Sequence, residues 1–196
     1  MADSAKESAE AARLALQAVE LGKGDAVALS MGGFALALMV GEVEDGAAFI
    51  DQALTLNPNL AAGWLFSGWI RLYLGEPDLT VEHAARAIRL SPLDPFSFLA
   101  STLVGGGHFF AGRYDEASSW AEKGLREQAN RAGAARVAAA SNALAGRLDQ
   151  AHKAMARLRQ IDPALRVSDL RHMFPLRRPE EVARFEEGLR KAGLPE

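Results

Sequence analysis

Residues 63–92 read GWLFSGWIRLYLGEPDLTVEHAARAIRLSP. An apolar, helix-like run is closed by Gly75, and a second helix carrying Ala84 and Ala87 follows, ending beside Pro92. The physical basis of this reading is packing. Small residues let two antiparallel helices approach closely, the turn glycine supplies the positive φ needed at a helix C-terminus, and proline stops the second helix.

Working outward, the same phrase recurs. Gly41, Gly75, Gly112 and Gly146 each close an apolar run, at intervals of 34, 37 and 34 residues. Each is followed by a second helix ending in a related phrase: ALTLNPN, AIRLSPL, GLREQAN and RLRQIDPA. Pro58 and Pro92, and likewise Ala117 and Ala151, stand 34 residues apart. A hairpin of this kind cannot bury its apolar face alone, so the period predicts stacked helix-turn-helix units sharing a continuous core.

The pattern resembles the tetratricopeptide repeat (TPR) family. Trp64, Gly68, Gly75, Ala84, Ala87 and Pro92 fall at family-like spacing, and GRYDEASSWAEKGL and GRLDQAHKAMARL repeat the turn and second helix. The departures are Arg71 in place of an aromatic, Gly46 and Thr80 in place of the small alanine, and three extra residues near SPLDPFSF. A narrower resemblance rests on SGWIRLYLGEP, RLSPLDP, AGRYDEA and the tail FPLRRPEEVARFEEGLRKAGLPE. These look like the TPR region that follows the catalytic domain in bacterial class III adenylate/guanylate cyclases. That resemblance implies a regulatory or partner-binding module of a signalling protein. No βαβ pattern with paired metal-binding aspartates is present, so the chain itself is expected not to be an enzyme.

The expected architecture is all-α: a right-handed superhelix of about four hairpins with C-terminal capping helices. A leading helix at about 4–21 precedes pairs at 25–40 and 44–56, 60–74 and 78–90, 95–111 and 114–127, and 131–145 and 148–160. The repeat array spans 1–163. Residues 164–196 form a cap on the last repeat, with a short helix capped by Ser168 and a longer one from Pro179 to Lys191. Such a cap covers the apolar face that a terminal repeat exposes.

Composition narrows the function classes. About half of the 196 residues are apolar, enough for a sizeable core, and the net charge of −3 gives no global drive toward nucleic acid or anionic lipid. The absence of cysteine removes disulfides, thiolate metal sites and cysteine nucleophiles, and fits a reducing, cytoplasmic setting. The N-terminus lacks a signal-peptide pattern. The greasiest stretch, AVALSMGGFALALMVG, is short of the roughly 20 residues that span a bilayer and reads as a buried helix.

Four motifs bear on chemistry. GHFFAGRY, residues 107–114, has the glycine spacing of a phosphate loop, but Arg113 and Tyr114 replace lysine and the hydroxyl residue, and the context is helical rather than strand to helix. Packing is the better reading, with local bending around Gly105–Gly107 an accompanying expectation. His83, His108, His152 and His172 sit on separate helices without metal-ligand spacing. The acidic pairs Asp115/Glu116 and Glu180/Glu181 read as first-turn dipole partners. In the tail, Arg166, Arg171, Arg177, Arg178, Arg184, Arg190 and Lys191 are interspersed with acids, which favours salt bridges over nucleic acid. No cofactor or metal is expected.

The resemblance places first helices along a concave groove. Helical spacing then puts Met31 and Met39, Leu65, Trp69 and Tyr73, and Phe109 and Phe110 on it, with Arg136 and Asn142 as its candidate polar residues. So apolar a surface argues against clamping of a peptide's terminal carboxylates. It suits an amphipathic partner segment, with Trp69 and Tyr73 as anchors, or burial within the chain or a homodimer. A small-ligand or nucleotide site, and nucleic-acid binding through the arginine-rich tail, are the alternative functions.

Overall fold

The computed structural model describes residues 2–95 and 97–196, and among them there is no strand. Helix α1 (Ala2–Leu21) leads into four hairpins. These pair α2 (Ala26–Ala35, continued by a π-helical turn at Leu36–Val40) with α3 (Val43–Leu56), α4 (Ala61–Tyr73) with α5 (Pro77–Leu90), α6 (Ser97–Phe110) with α7 (Tyr114–Glu127), and α8 (Ala132–Leu144) with α9 (Leu148–Ile161). A 3-10 turn (Val167–Asp169), α10 (Leu170–Met173) and α11 (Pro179–Lys191) complete the tail. Consecutive helices pack on one another from α1 to α9, which gives an all-α, TPR-like solenoid.

The hairpin turns follow the chemistry of their glycines. Gly41, Gly75, Gly112 and Gly146 have φ of 88, 75, 76 and 78°, a region costly for residues with a Cβ. In all four turns the following N–H reaches back over the helix end: Glu42 to Leu36 O (3.3 Å), Glu76 to Arg71 O (2.8 Å), Arg113 to His108 O (2.9 Å) and Arg147 to Asn142 O (2.8 Å). Carbonyls that the last helical turn leaves without partners are thereby satisfied.

The small position of each second helix, Gly46, Thr80, Ala117 and Ala151, is buried in every hairpin. The first two departures from alanine have distinct physical reasons. A Cβ on Gly46 would stand 2.4 Å from Gly33 O, so α2 and α3 touch glycine to glycine. Thr80 is fully buried, and its hydroxyl donates to Glu76 O at 3.1 Å.

Three successive glycines leave α6 continuous, because each faces a different neighbour. A Cβ on Gly105 would meet Ala117 O of α7 at 3.1 Å, and one on Gly107 would meet Val81 Cγ2 and Pro77 O of α5 at 2.8 and 3.0 Å. Gly106 points between them, with Leu72 Cδ2 at 3.7 Å as its nearest contact. The triplet lets α6 sit close to both flanking helices.

Two expectations are corrected. Ser168 caps nothing; the Asp169 carboxylate instead reaches back to accept the Arg166 N–H at 2.8 Å, since the turn is capped at Arg166, two residues earlier than expected. The stretch from Ala26 is not buried all round. Helices α1, α3 and α4 cover one side of α2, and the uncovered side leaves Val27, Met31, Leu38 and Met39 at 48, 58, 40 and 61% exposure.

The tail belongs to the core. Leu165, Val167, Leu170, Phe185, Leu189, Ala192 and Leu194 are buried in one cluster with Phe109, Ala138 and Leu158 of the last two hairpins. Each such large side chain contributes about 1.5–3 kcal/mol relative to exposure. Helix α11 lies on α8, close enough that a Cβ on Gly188 would be 2.9 Å from Ala140 Cβ.

Candidate functional site

The repeat intervals align the first helices rung by rung. Met31, Leu65, Thr102 and Arg136 occupy one equivalent position, and Ala35, Trp69, Gly106 and Ala140 occupy the next. Trp69 thus gives way to glycine and alanine in the third and fourth hairpins. Side-chain bulk is missing there, and the tail fills the space.

The filling is specific. Phe185 packs on Phe109 and Phe110, with ring centroids 5.3 and 6.1 Å apart. Phe174 stacks on Trp69 and Tyr73 at 6.5 and 6.4 Å. The non-helical segment after α10 then continues toward the first two hairpins. The Arg177 N–H donates to Tyr73 O at 2.9 Å. Its guanidinium grips Glu44, with Nε to Oε1 at 3.1 Å, and donates to Gly41 O at 3.1 Å. Arg184 donates to Phe110 O at 3.1 Å.

The seven groove residues therefore separate. Tyr73 and Phe109 are fully buried, and burial pushes the Tyr73 phenol up. Trp69 and Phe110 are half-buried. These four surround one cavity of about 50 Å³, closed by Phe174, Leu176 and Phe185. Leu65, also half-buried, lines a second cavity of about 170 Å³ with Ala62, Phe66, Ile88 and Leu99. Met31 and Met39 lie outside both and are exposed. The structure brings the aromatic members together and leaves the methionines apart.

Of the two polar candidates, Arg136 lines the aromatic cavity. Burial lowers its pKa, with Asp162 acting weakly the other way, and its Nε is buried without a partner. Asn142 is not a groove residue. It is buried, and its Oδ1 accepts from Ser118 Oγ (3.1 Å) and Arg147 Nε (2.8 Å), which fixes the last turn.

A ladder of turn contacts escaped the sequence reading. Arg113 donates to Asp78 of the preceding turn at 2.8 Å, and Arg147 pairs in the same way with Asp115. The signal was present: arginine follows the turn glycine in GRYD and GRLD, with aspartate two residues later. Asp115 is thus an ion-pair partner as well as a first-turn acid. Glu181 stands in the first turn as expected but is buried with one carboxylate oxygen unpartnered, and burial raises its pKa.

The phosphate-loop-like stretch has helical backbone from Gly107 to Phe110, and Arg113 is engaged by His108 Nδ1 (2.8 Å) and Asp78. His83 Nδ1 lies 3.0 Å from Ser67 Oγ, and its ring meets Trp64 edge to face at 4.9 Å. Among the described residues, no helix is long and apolar enough to cross a membrane.

No protein-family model matches the chain, and no curated protein matches it. Solved structures do. The type IV pilus biogenesis factor PilW aligns with TM-score 0.74 and 17% identity, over 96% of this chain and 82% of that one. YrrB, described as "a TPR protein with an unusual peptide-binding site", gives 0.60 and 21%, over 92% and 91%. MamA from Desulfovibrio magneticus RS-1 gives 0.64 and 17%, over 80% and 86%. At these identities the likeness shows a shared TPR-like fold.

Proposed function

We propose that this chain is a non-catalytic protein-interaction module that receives an apolar or amphipathic segment of a partner in the open, N-terminal half of its groove. One observation carries the reading. Val27, Met31 and Leu38 form an exposed stripe on one side of the first hairpin, with Met31 on the same rung as Leu65, while the tail fills the other half. Methionine-rich apolar surfaces adapt to varied side chains, and amphipathic helices dock in such grooves through residues spaced i, i+3 or i+4 and i+7. The peptide site named for YrrB is in keeping with this use of the fold.

Resemblance to the region following class III cyclase catalytic domains supplies the finer proposal: a cytoplasmic regulatory module of a bacterial signalling protein. Nucleic acid has no role in this reading. Arg171, Arg177, Arg190 and Lys191 are already paired with Glu186, Glu44, Glu196 and Glu187. Self-association is the second reading, favoured by the same exposed stripe, since a two-fold dimer apposes identical patches.

Peptide display on the purified chain tests the main reading. Enriched peptides are expected to carry helically spaced apolar residues and to lose binding to Met31→Glu and Leu65→Glu variants that remain folded by circular dichroism. Enrichment insensitive to both variants, or none above background, refutes it. Light scattering separates the second reading: a dimer made monomeric by Met31→Glu assigns the stripe to self-association.

A further inference from the structure

The aromatic cavity in the tail-closed half of the groove holds one ionised group. Trp69, Tyr73, Phe109, Phe110, Phe174 and Phe185 line it, and among the described residues of its wall Arg136 alone is charged. The Arg136 guanidinium carbon lies 5.7 Å from the Phe174 ring centroid, and Nε is buried without a partner. Among the described residues no carboxylate pairs with it; Asp162 acts only at longer range. Arg136 is half-buried, and a guanidinium whose Nε is withdrawn from water without a counter-ion is an unfavourable arrangement unless something relieves it. Arg113, Arg147 and Arg177, by contrast, are each paired with a carboxylate.

We propose that this cavity binds a small organic monocarboxylate, with the carboxylate on Arg136 and the hydrocarbon part against Tyr73 and Phe174. The planar fork of a guanidinium matches a carboxylate with two parallel hydrogen bonds. A lone cation in an apolar wall suits a monoanion, whereas a phosphate dianion calls for more donors. The cavity, about 50 Å³, corresponds to roughly four water positions at about 10–15 Å³ each, the size of a short branched acid. Phe174 and Leu176 belong to the tail, so the ligand would also hold the tail against α4. The site lies apart from the open stripe and stands whether or not that stripe binds a peptide.

Isobutyrate and its uncharged isostere isobutyramide are the probes, applied to the full chain in thermal unfolding and calorimetric titration. Isobutyrate is expected to raise Tm and bind saturably at one site; isobutyramide is expected to do neither. Arg136→Met, which keeps the volume and removes the charge, should stay folded and lose affinity by at least about tenfold, as for loss of a charge-assisted pair. In the wild type, intermolecular NOEs should connect the isobutyrate methyls with Phe174 and Tyr73 ring protons, a readout that does not depend on the variant folding. Equal binding of the amide, undiminished binding to Arg136→Met, NOEs to other residues, or no stabilisation by isobutyrate overturns the proposal.

Discussion

Alanine substitution along Gly105, Gly106 and Gly107 sets three adjacent residues against one another. Each change removes a helix-interior glycine and so contributes about 0.8–1 kcal/mol through propensity. The difference lies in what the new methyl meets. At Gly106 it finds Leu72 Cδ2 at 3.7 Å, an ordinary van der Waals distance, so the gain survives and stability rises by about 1 kcal/mol. At Gly107 it meets Val81 Cγ2 at 2.8 Å and Pro77 O at 3.0 Å, the latter fixed in the backbone of α5. Overpacking of about 1–3 kcal/mol then outweighs propensity, for a net loss of up to about 2 kcal/mol. At Gly105 the contacts are Ala117 O at 3.1 Å and Ala121 N at 3.3 Å, a few tenths of an ångström too close, and the two effects roughly cancel. Urea titration followed at 222 nm measures all three. In thermal melts, each kcal/mol corresponds to about 2–4 °C for a chain of this size. Gly106→Ala destabilising as much as Gly107→Ala would refute the assignment of faces.

Other perturbations probe separate links. Phe185→Ala removes a ring packed on Phe109 and Phe110 and should cost about 3–5 kcal/mol, with hydrogen exchange accelerated first across 167–194; unchanged protection there would contradict the packing of α11. Asp25→Ala deletes the carboxylate that accepts the Val27 and Ala28 N–H groups at 2.8 and 3.3 Å, and should cost about 0.5–2 kcal/mol with fraying confined to the start of α2. Acid should weaken the fold through His83 and His108. Desolvation, reinforced by Arg71 and Arg113 respectively, holds both below the ordinary value of 6.5. The unfolded chain therefore binds more protons, so their contribution is complete above about 6.5 and falls as pH drops toward the folded-state values. The urea midpoint should decline between pH 7.5 and 5.5, less steeply in a His83→Gln/His108→Gln variant; equal slopes would show that neither imidazole is responsible.

Hairpin boundaries were legible in the sequence because backbone rules set them. Gly41, Gly75, Gly112 and Gly146 mark turns that few other residues can make, and every helix of the array starts and stops within a few residues of its expected place. Aromatic groove positions could also be read from register, since Trp69 and Tyr73 lie four apart on one helix. What could not be read was occupancy. The contacts of Phe174 with Trp69, and of Arg177 with Glu44, join residues more than a hundred positions apart and leave no periodic trace. A hint lay in the rung that passes from Trp69 to Gly106 and Ala140, where lost bulk implies a filler. Glu181 misled for the opposite reason: a first-turn acid looks the same in sequence whether water or protein covers it.

The strap from Phe174 to Arg178 also changes how the chain should fold. In a stack of hairpins each unit touches only its neighbours, so contacts are short in sequence and unfolding can start at either end and stop partway. Here Arg177 reaches Glu44 and Gly41 across 133 and 136 residues, tying the last segment to the first turn. Closing so long a loop is entropically unfavourable and raises the contact order, so this docking belongs late in folding. Once made, it couples the ends of the array. Fraying of the first hairpin and release of the tail then favour one another, and a protein built of repeats gains some of the cooperativity of a globular domain.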